Sequence, residues 1–409
     1  VPTGRGVAVF AAGLGLWLLA RVTGSPTVHM LAVGVVVLPV AAAALARWGR
    51  LRLRVRRRVS EARVRPGQRV GVELVVENLS HVPASFVLLE DRLPPAVGRS
   101  ARLVLAGLRP RGTHRVAYTL VPQRRGRFVL GPVRVELSDP FALTRLGMEL
   151  DVRDELVVAP EVEDLGGGPD TPFGLTMGLA AARQLYRSGD EFYTMRPYVQ
   201  GDDLRRIHWP SVARTGELMI RQDEATRRAS AVLFVDTRES ALGRAHAPAF
   251  EKAVSAAASV GVLLARYGFS LKVVTSQLPP RHVSEELLLD ALAALTHHTS
   301  RSLSQGLARL RQAAAADATL VVVTAPPIGP ELASLVQAGA LFGPKLAVLV
   351  HPADPDRLPA EHRRELEGRA TQALRSLSRA GWEVVVVPPS GRLAERWHAP
   401  RTRPLAVTG

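Results

Sequence analysis

The chemically richest stretch of the chain is residues 187–222, RSGDEFYTMRPYVQGDDLRRIHWPSVARTGELMIRQ. Asp202, Asp203 and His208 supply two carboxylates and an imidazole, side chains that can ligate a divalent metal or move protons. Their offset, with Arg205 and Arg206 between them, matches no tight ligand spacing. A structural reading needs less: Gly201 permits a turn, one aspartate caps a short helix through Leu204 and Ile207, and the other pairs with Arg205 or Arg214. On this reading Tyr198 and Trp209 are packing anchors, His208 is a hydrogen-bonded core histidine, and Arg214 and Arg221 face an acidic partner. A second oxygen-rich point is Asp236-Thr237-Arg238-Glu239-Ser240. No serine nucleophile elbow, no His-Glu-x-x-His and no Walker motif is present, and the adjacent His297 and His298 diverge on a helix. No catalytic constellation is recognised. The competing assignment is a metal-dependent, membrane-associated hydrolase or nuclease using Asp202, Asp203 and His208.

The elements that must position these residues follow from hydrophobic patterning. Residues 6–20 and 28–46 are apolar runs joined by Gly24-Ser25-Pro26. As helices they measure about 22 Å and about 28 Å, against a hydrocarbon core of ~30 Å. They read as a transmembrane hairpin in residues 1–50; the first run also has the outline of a signal peptide with a cleavage site near Gly24. Arg47, Arg50, Arg52, Arg54, Arg56, Arg57 and Arg58 follow the second run, while the turn offers only Arg21. The positive-inside rule then places the soluble body in the cytoplasm, and the 47–58 cluster suits anionic lipid headgroups.

Residues 55–160 change to period two, with Val70, Val72, Leu74 and Val76 on one face and turn signals at Pro66-Gly67, Pro94-Pro95 and Arg125-Gly126. That predicts an antiparallel β-sandwich. Residues 161–186 read as a linker with a short helix; the glycines at 166–168 lack the Lys-Ser/Thr of a phosphate loop. From 228 to 390, continuous apolar strands at 231–236, 271–275, 319–324, 345–350 and 382–387 alternate with helices at 249–266, 285–295, 331–341 and 363–380. This is a doubly wound α/β pattern whose ligand-placing strand ends fall at Asp236, Thr275 and Thr324. Residues 391–409 read as a tail.

The net charge of +16 is carried almost entirely by arginine, and aromatic content is 5%. Without aromatic-rich basic strands no nucleic-acid platform is expected. Zero cysteines exclude disulfides and thiolate metal sites.

The string Arg196-Pro197-Tyr198, Gly201-Asp202-Asp203, Arg205-Arg206-Ile207-His208-Trp209 and Ser211-Val212-Ala213-Arg214 resembles the signature of the bacterial family catalogued as domain of unknown function 58. The likeness extends upstream to Arg124-Arg125-Gly126-Arg127-Phe128, Gly131-Pro132 and Asp139-Pro140-Phe141, and downstream through Asp236. It implies membrane attachment, a von Willebrand factor A-like α/β domain, and a MoxR-type AAA+ ATPase as partner; it implies no established reaction. Tyr198, Gly201, Asp202, Asp203, Arg205, Ile207, His208, Trp209, Ala213 and Arg214 would then form a docking element. An adhesion-type metal site of the A domain places Asp-x-Ser-x-Ser after its first strand. Asp236 and Ser240 match that pattern as candidate Mg²⁺ ligands, but Arg238 stands at the middle serine.

Overall fold

A computed structural model of the chain describes residues 3–48, 52–81, 83–138, 141–166, 193–199, 202–204, 207–223, 229–277 and 279–397. The chain divides into two compact units at Ala159 and Pro160.

The first unit opens with α1 (Gly4–Thr23) and α2 (Pro26–Trp48), each long and apolar enough to cross a membrane. The Thr3 hydroxyl accepts from the Gly6 N–H (3.1 Å), capping α1. Gly24 ends it in the left-handed region at φ +64°, where an N–H to the Ala20 carbonyl closes the last turn. The two helices touch at Gly13: a Cβ there would lie 2.8 Å from Val36 Cγ2 and 3.0 Å from the Val36 backbone nitrogen. Small residues at such crossings let apolar helices approach in lipid. The start of the hairpin meets the β-rich region through Thr3 N–H to Leu143 O (2.9 Å).

Ten strands follow: β1 (Leu53–Val59), β2 (Arg63–Val64), β3 (Val70–Asn78), β4 (Ala84–Asp91), β5 (Ala101–Leu108), β6 (Thr113–Leu120), β7 (Gly126–Leu130), β8 (Val133–Ser138), β9 (Arg145–Leu150) and β10 (Asp154–Val158). They form sheets ordered β1-β3-β6, β5-β4-β8-β9 and β2-β10-β7. Leu74 and Val76 of the first sheet share a buried cluster with Val87, Leu89, Val133 and Val135 of the second. The period-two pattern is therefore the pattern of one buried sheet face.

Arg57 departs from its sequence reading. Grouped there with topology-setting arginines, it is instead a fully buried side chain on β1. Its Nε donates to Asp91 Oδ2 (3.0 Å), and its Nη1 donates to Asp154 Oδ2 (2.8 Å) and the Leu130 carbonyl (3.1 Å). The Tyr118 hydroxyl donates to the same Asp91 oxygen at 2.6 Å. Burial alone would lower the Arg57 pKa, yet the hydrogen bond and charge of Asp91 carry it above its ordinary value. Burial, with Asp91, pushes the Tyr118 phenol far up, so it stays neutral. Gly131, at φ +98°, is the residue the network requires: a Cβ there would collide with the Val152 carbonyl oxygen and approach Arg57 Nη2 to 3.0 Å. The Gly131-Pro132 pair of the family-like string thus has a packing reason.

In the second unit, residues 161–166 are packed rather than a free linker. Glu163 N–H donates to Ser259 Oγ (2.9 Å), and its carboxylate accepts from Lys252 Nζ (3.1 Å) and the Ala394 N–H (3.0 Å). The remainder of that predicted linker, 167–186, and the expected helix within it lie outside the described residues, as do 398–409 of the expected tail. A hairpin of β11 (Tyr193–Pro197) and β12 (Met219–Asp223) encloses α3 (Trp209–Thr215). The α/β body then runs β13 (Ser230–Val235), α4 (Glu239–Leu242), α5 (Pro248–Arg266), β14 (Ser270–Thr275), β15 (Arg281–Val283), α6 (Glu285–Ala293), α7 (Ser304–Gln312), β16 (Thr319–Thr324), α8 (Gly329–Gly339), β17 (Lys345–Val350), α9 (Ala360–Arg379), β18 (Glu383–Val387) and α10 (Leu393–Trp397).

The sheet order is β15-β14-β13-β16-β17-β18, parallel throughout except for the antiparallel edge strand β15. Alternate strand residues feed two cores. Leu233 and Val235 pack with Phe250, Val254 and Leu288, whereas Val232 and Phe234 pack with Leu307, Leu335 and Leu377. Helix α5 has the length and apolarity of a membrane span, but 72% of it is buried inside this body. The expected tail is corrected at α10, where Leu393 and Trp397 belong to the first core.

Two stability predictions follow from buried charge. Arg57→Met leaves Asp91 without its cation, which should cost about 3–5 kcal/mol; Arg57→Lys, lacking the planar fork, should recover only part of it. Thermal unfolding of the full chain in detergent reads both. His351, whose Nδ1 is buried without a partner, has its pKa lowered from 6.5 chiefly by burial, with Arg396 lowering it and Glu367 and Asp354 opposing. As pH falls below 6.5 the unfolded chain takes a proton that the folded ring resists, so stability drops toward the folded pKa and then levels. His351→Gln should flatten the melting temperature between that pH and the carboxylate range.

Candidate functional site

The order of the sheet selects the site. The order of strand addition reverses between the parallel neighbours β13 and β16, so the loops after these strands diverge and leave a crevice at their carboxyl ends, where open α/β sheets place ligands. Asp236 follows β13 and Thr324 ends β16, two of the three strand ends read from the sequence. Thr275, the third, closes its own turn by accepting from the Gln277 N–H at 3.2 Å.

Asp236 is fully buried and its carboxylate is taken up by protein groups. Arg238 Nε donates to both oxygens (3.0 and 3.2 Å), Arg238 Nη2 donates to Oδ2 (2.9 Å), and the Thr324 hydroxyl donates to Oδ2 (2.7 Å). The Arg238 N–H also donates to Oδ1 at 3.1 Å, which folds the turn back on the carboxylate. On its far side the guanidinium donates from Nη1 to Glu331 Oε1 (2.6 Å), at the start of α8, and to the Arg301 carbonyl (3.1 Å). Burial opposes the Arg238 charge, but Asp236 and then Glu331 hold its pKa above the ordinary arginine value.

These contacts decide the Mg²⁺ expectation for Asp236 and Ser240. A hard cation needs several oxygen ligands, and here the guanidinium sits against the carboxylate where the cation would bind. The residues present do not fit a metal while Arg238 is in place. Among the described residues no group of three His, Asp or Glu side chains is arranged to hold a metal ion.

Above the ion pair lies a cleft of about 280 Å³. Arg238, Ser240, Arg301, Glu331 and Arg369 give it charge and hydroxyl groups, and Pro326, Ile328 and Leu366 give it an apolar wall. The Arg369 guanidinium pairs with Glu365 one turn away on α9. The Arg301 side chain is exposed and has no acidic partner among the described residues.

The signature segment forms a separate feature of the same unit. Ile207 bridges Ile220, which on its other side pairs with Arg196 in the hairpin, so residue 207 adds to the sheet edge. Asp202 accepts from the Val199 N–H at 3.0 Å and so shapes the preceding turn, not the following helix. His208 is half-buried and stands at the N-cap position of α3 without a side-chain capping bond; its Nδ1 lies 2.9 Å from Ser211 Oγ. Gly216, at φ +76°, ends α3. Trp209 is corrected from packing anchor to surface residue at 65% exposure. Ala213, Arg214 and Asp203 are also exposed and Tyr198 is half-buried. Gly201, Arg205 and Arg206 lie outside the described residues. His297 and His298 follow α6 instead of riding on it; each Nδ1 accepts a backbone N–H, from Ala245 and Ser300. The signature residues and the Asp236 turn are thus distinct places. Glu331, Arg301 and Arg369 were missed in the sequence because nothing there pairs an early strand end with α8 and α9.

Arg238→Ser removes the cation from buried Asp236 and should cost about 3–5 kcal/mol. It also restores the Asp-x-Ser-x-Ser pattern, so millimolar Mg²⁺ should raise the variant's melting temperature and leave the wild type unchanged.

Uncharacterized protein YeaD of Bacillus subtilis (strain 168) is 24% identical over 212 residues, covering 50% of this chain and 51% of that protein. The chain therefore spans about half the length of that relative. Solved structures include the CARDB domain of a Pyrococcus furiosus protein in complex with di-metal ions (13% identity, 26% of this chain, 93% of that chain, TM-score 0.21). Another is the sporulation control protein Spo0M of Bacillus subtilis (10% identity, 36% of this chain, 57% of that chain, TM-score 0.16). Likenesses of that size carry no argument about fold or function. Residues 194–384 match the family described as "Protein of unknown function DUF58", a match consistent with a member of that family.

Proposed function

We propose that the protein is a membrane-anchored scaffold whose soluble part faces the cytoplasm and docks protein partners, with a MoxR-type AAA+ ATPase as the principal one. The observation that carries this reading is the Asp236–Arg238 pair. The most chemically promising strand end holds its carboxylate in a closed ion pair, so Asp236 is not free to act as acid, base or metal ligand and the cleft above presents a fixed binding surface. Of the centre of the hydrolase reading, Asp202 accepts the Val199 N–H of a turn and His208 contacts the Ser211 hydroxyl.

Three further features support the arrangement. In chain order the sheet reads third, second, first, fourth, fifth, sixth strand, with the third antiparallel at the edge; that order favours the von Willebrand A-like reading of the α/β body, with its docking face at the strand ends. Two sheets sharing one core favour a β-sandwich after the anchor in the chain. The start of the helical hairpin meets the β-rich region that follows α2 in the chain, as expected when both ends of the hairpin lie on one side of the bilayer, and the arginines after α2 favour the cytoplasmic side. Arg56 and Arg58 remain exposed on β1, with Arg115 across the sheet, and would favour anionic headgroups near the membrane.

Affinity capture of the tagged full chain from native membranes, with and without ATP, tests the reading. A Trp209→Ala/Arg214→Ala variant serves as the comparison, since both residues are exposed and their removal should leave the melting temperature unchanged. Enrichment of an AAA+ ATPase on the wild type, reduced at least several-fold on the folded variant, is the expected result. No enrichment of such an ATPase under either condition contradicts it.

A further inference from the structure

The cleft beside Arg238 has a composition that specifies its occupant. Arg238 is spent on Asp236 and Glu331, so it acts as an internal cation that fixes the floor. The charges left for a ligand are Arg301, with no acidic partner among the described residues, and Arg369, whose partner Glu365 is an exposed neighbour on the same helix. Exposed pairs of that kind are weak and readily exchanged for a better acceptor. The same cleft has an apolar wall of Pro326, Ile328 and Leu366, with Ile328 44% exposed. Glu331, whose side chain is 35% exposed, adds a negative charge to the cleft. A multiply charged anion such as a phosphate would meet that carboxylate at close range. A single carboxylate carried on an apolar segment would meet two arginine forks and bury its flanks.

We propose that this cleft is a metal-free recognition site for an acidic side chain of a partner protein. In it Arg301 and Arg369 grip the carboxylate, Pro326, Ile328 and Leu366 cover the neighbouring apolar residue, and Arg238 stands where a bridging cation would otherwise be needed. The proposal rests on the scaffold reading and adds the chemistry of the contact. The 280 Å³ volume accommodates one or two side chains, not a folded element. Guanidinium–carboxylate bonding supplies orientation as well as attraction, because the two planar groups match in geometry.

The test uses the purified full chain in nanodiscs and a fluorescein-labelled Leu-Glu-Leu tripeptide amide, followed by polarisation up to millimolar protein. Binding is expected, unchanged by EDTA or by added Mg²⁺. The Leu-Gln-Leu probe should bind about tenfold more weakly, and so should the glutamate probe on Arg301→Ala or Arg369→Ala, as for loss of a charge-assisted hydrogen bond. Both arginines are exposed, so unchanged melting temperatures confirm that the variants are folded. Acetate should displace the probe better than inorganic phosphate at equal concentration. Absence of binding, equal binding of the two probes, loss of binding in EDTA, or stronger displacement by phosphate each overturns the proposal. The membrane capture separates the two levels of the account. If Arg301→Ala/Arg369→Ala still captures the ATPase as wild type does, the cleft assignment falls and the scaffold reading stands. If the probe binds as described and no ATPase is captured, the cleft stands and that partner falls.

Discussion

The α/β unit depends on how one buried carboxylate is neutralised. Asp236 sits at the carboxyl end of β13 with no access to water, and an isolated charge there would be prohibitive. The chain answers with Arg238 two residues on, a side chain long enough to curl back over its own turn, and with the Thr324 hydroxyl from the neighbouring strand. Because Arg238 then reaches Glu331 and the Arg301 carbonyl, the same ion pair ties the loops after β13 and β16 to α8 and to the segment before α7. The shape of the cleft is a consequence of this pairing. So is its chemistry, since a guanidinium is a fixed charge that neither exchanges nor opens coordination positions as a metal does.

The β-rich region solves a similar problem with different residues. Arg57 joins β1 to Asp91 at the end of β4, to Asp154 at the start of β10 and to the Leu130 carbonyl at the end of β7. These strands belong to three different sheets, so a single guanidinium links all of them. Buried pairs of this kind contribute little net stability compared with an apolar replacement of both partners, but they penalise any arrangement that leaves one of them alone. Their value here is in fixing which strand ends meet. In each unit an arginine secures the junction of the strands, and the apolar cores fill in around it.

What was legible in the sequence divides along physical lines. Strands such as 231–236 and 319–324 announced themselves because a strand buried on both faces has a continuous apolar run, here Ala231–Val235 and Leu320–Val323. The β3 and β8 strands showed in period two because only one face is buried. The hairpin helices showed by length and apolarity. Less legible were elements whose reason is tertiary. The three-residue edge strand β15 has no pattern of its own, and α10 reads as a tail until Leu393 and Trp397 are seen to fill the first core. Helix α3 is short and begins at a tryptophan that the sequence would bury, yet Trp209 lies on the surface. Arg57 was indistinguishable from its exposed neighbours Arg56 and Arg58, because alternation along β1 sends only alternate side chains inward. At the site, the replacement of a serine by Arg238 was visible as a departure from pattern. That the arginine takes the cation's place followed only from the geometry.

The central claim is that the switch-point carboxylate is closed by an arginine and works without a metal. The most direct measurement is a Mn²⁺ titration of the full chain in nanodiscs, read by electron paramagnetic resonance of free ion, on the wild type and on Ser240→Ala. The account predicts no stoichiometric binding that depends on Ser240, with the two proteins indistinguishable. One bound Mn²⁺ per wild-type chain that disappears in Ser240→Ala would contradict it.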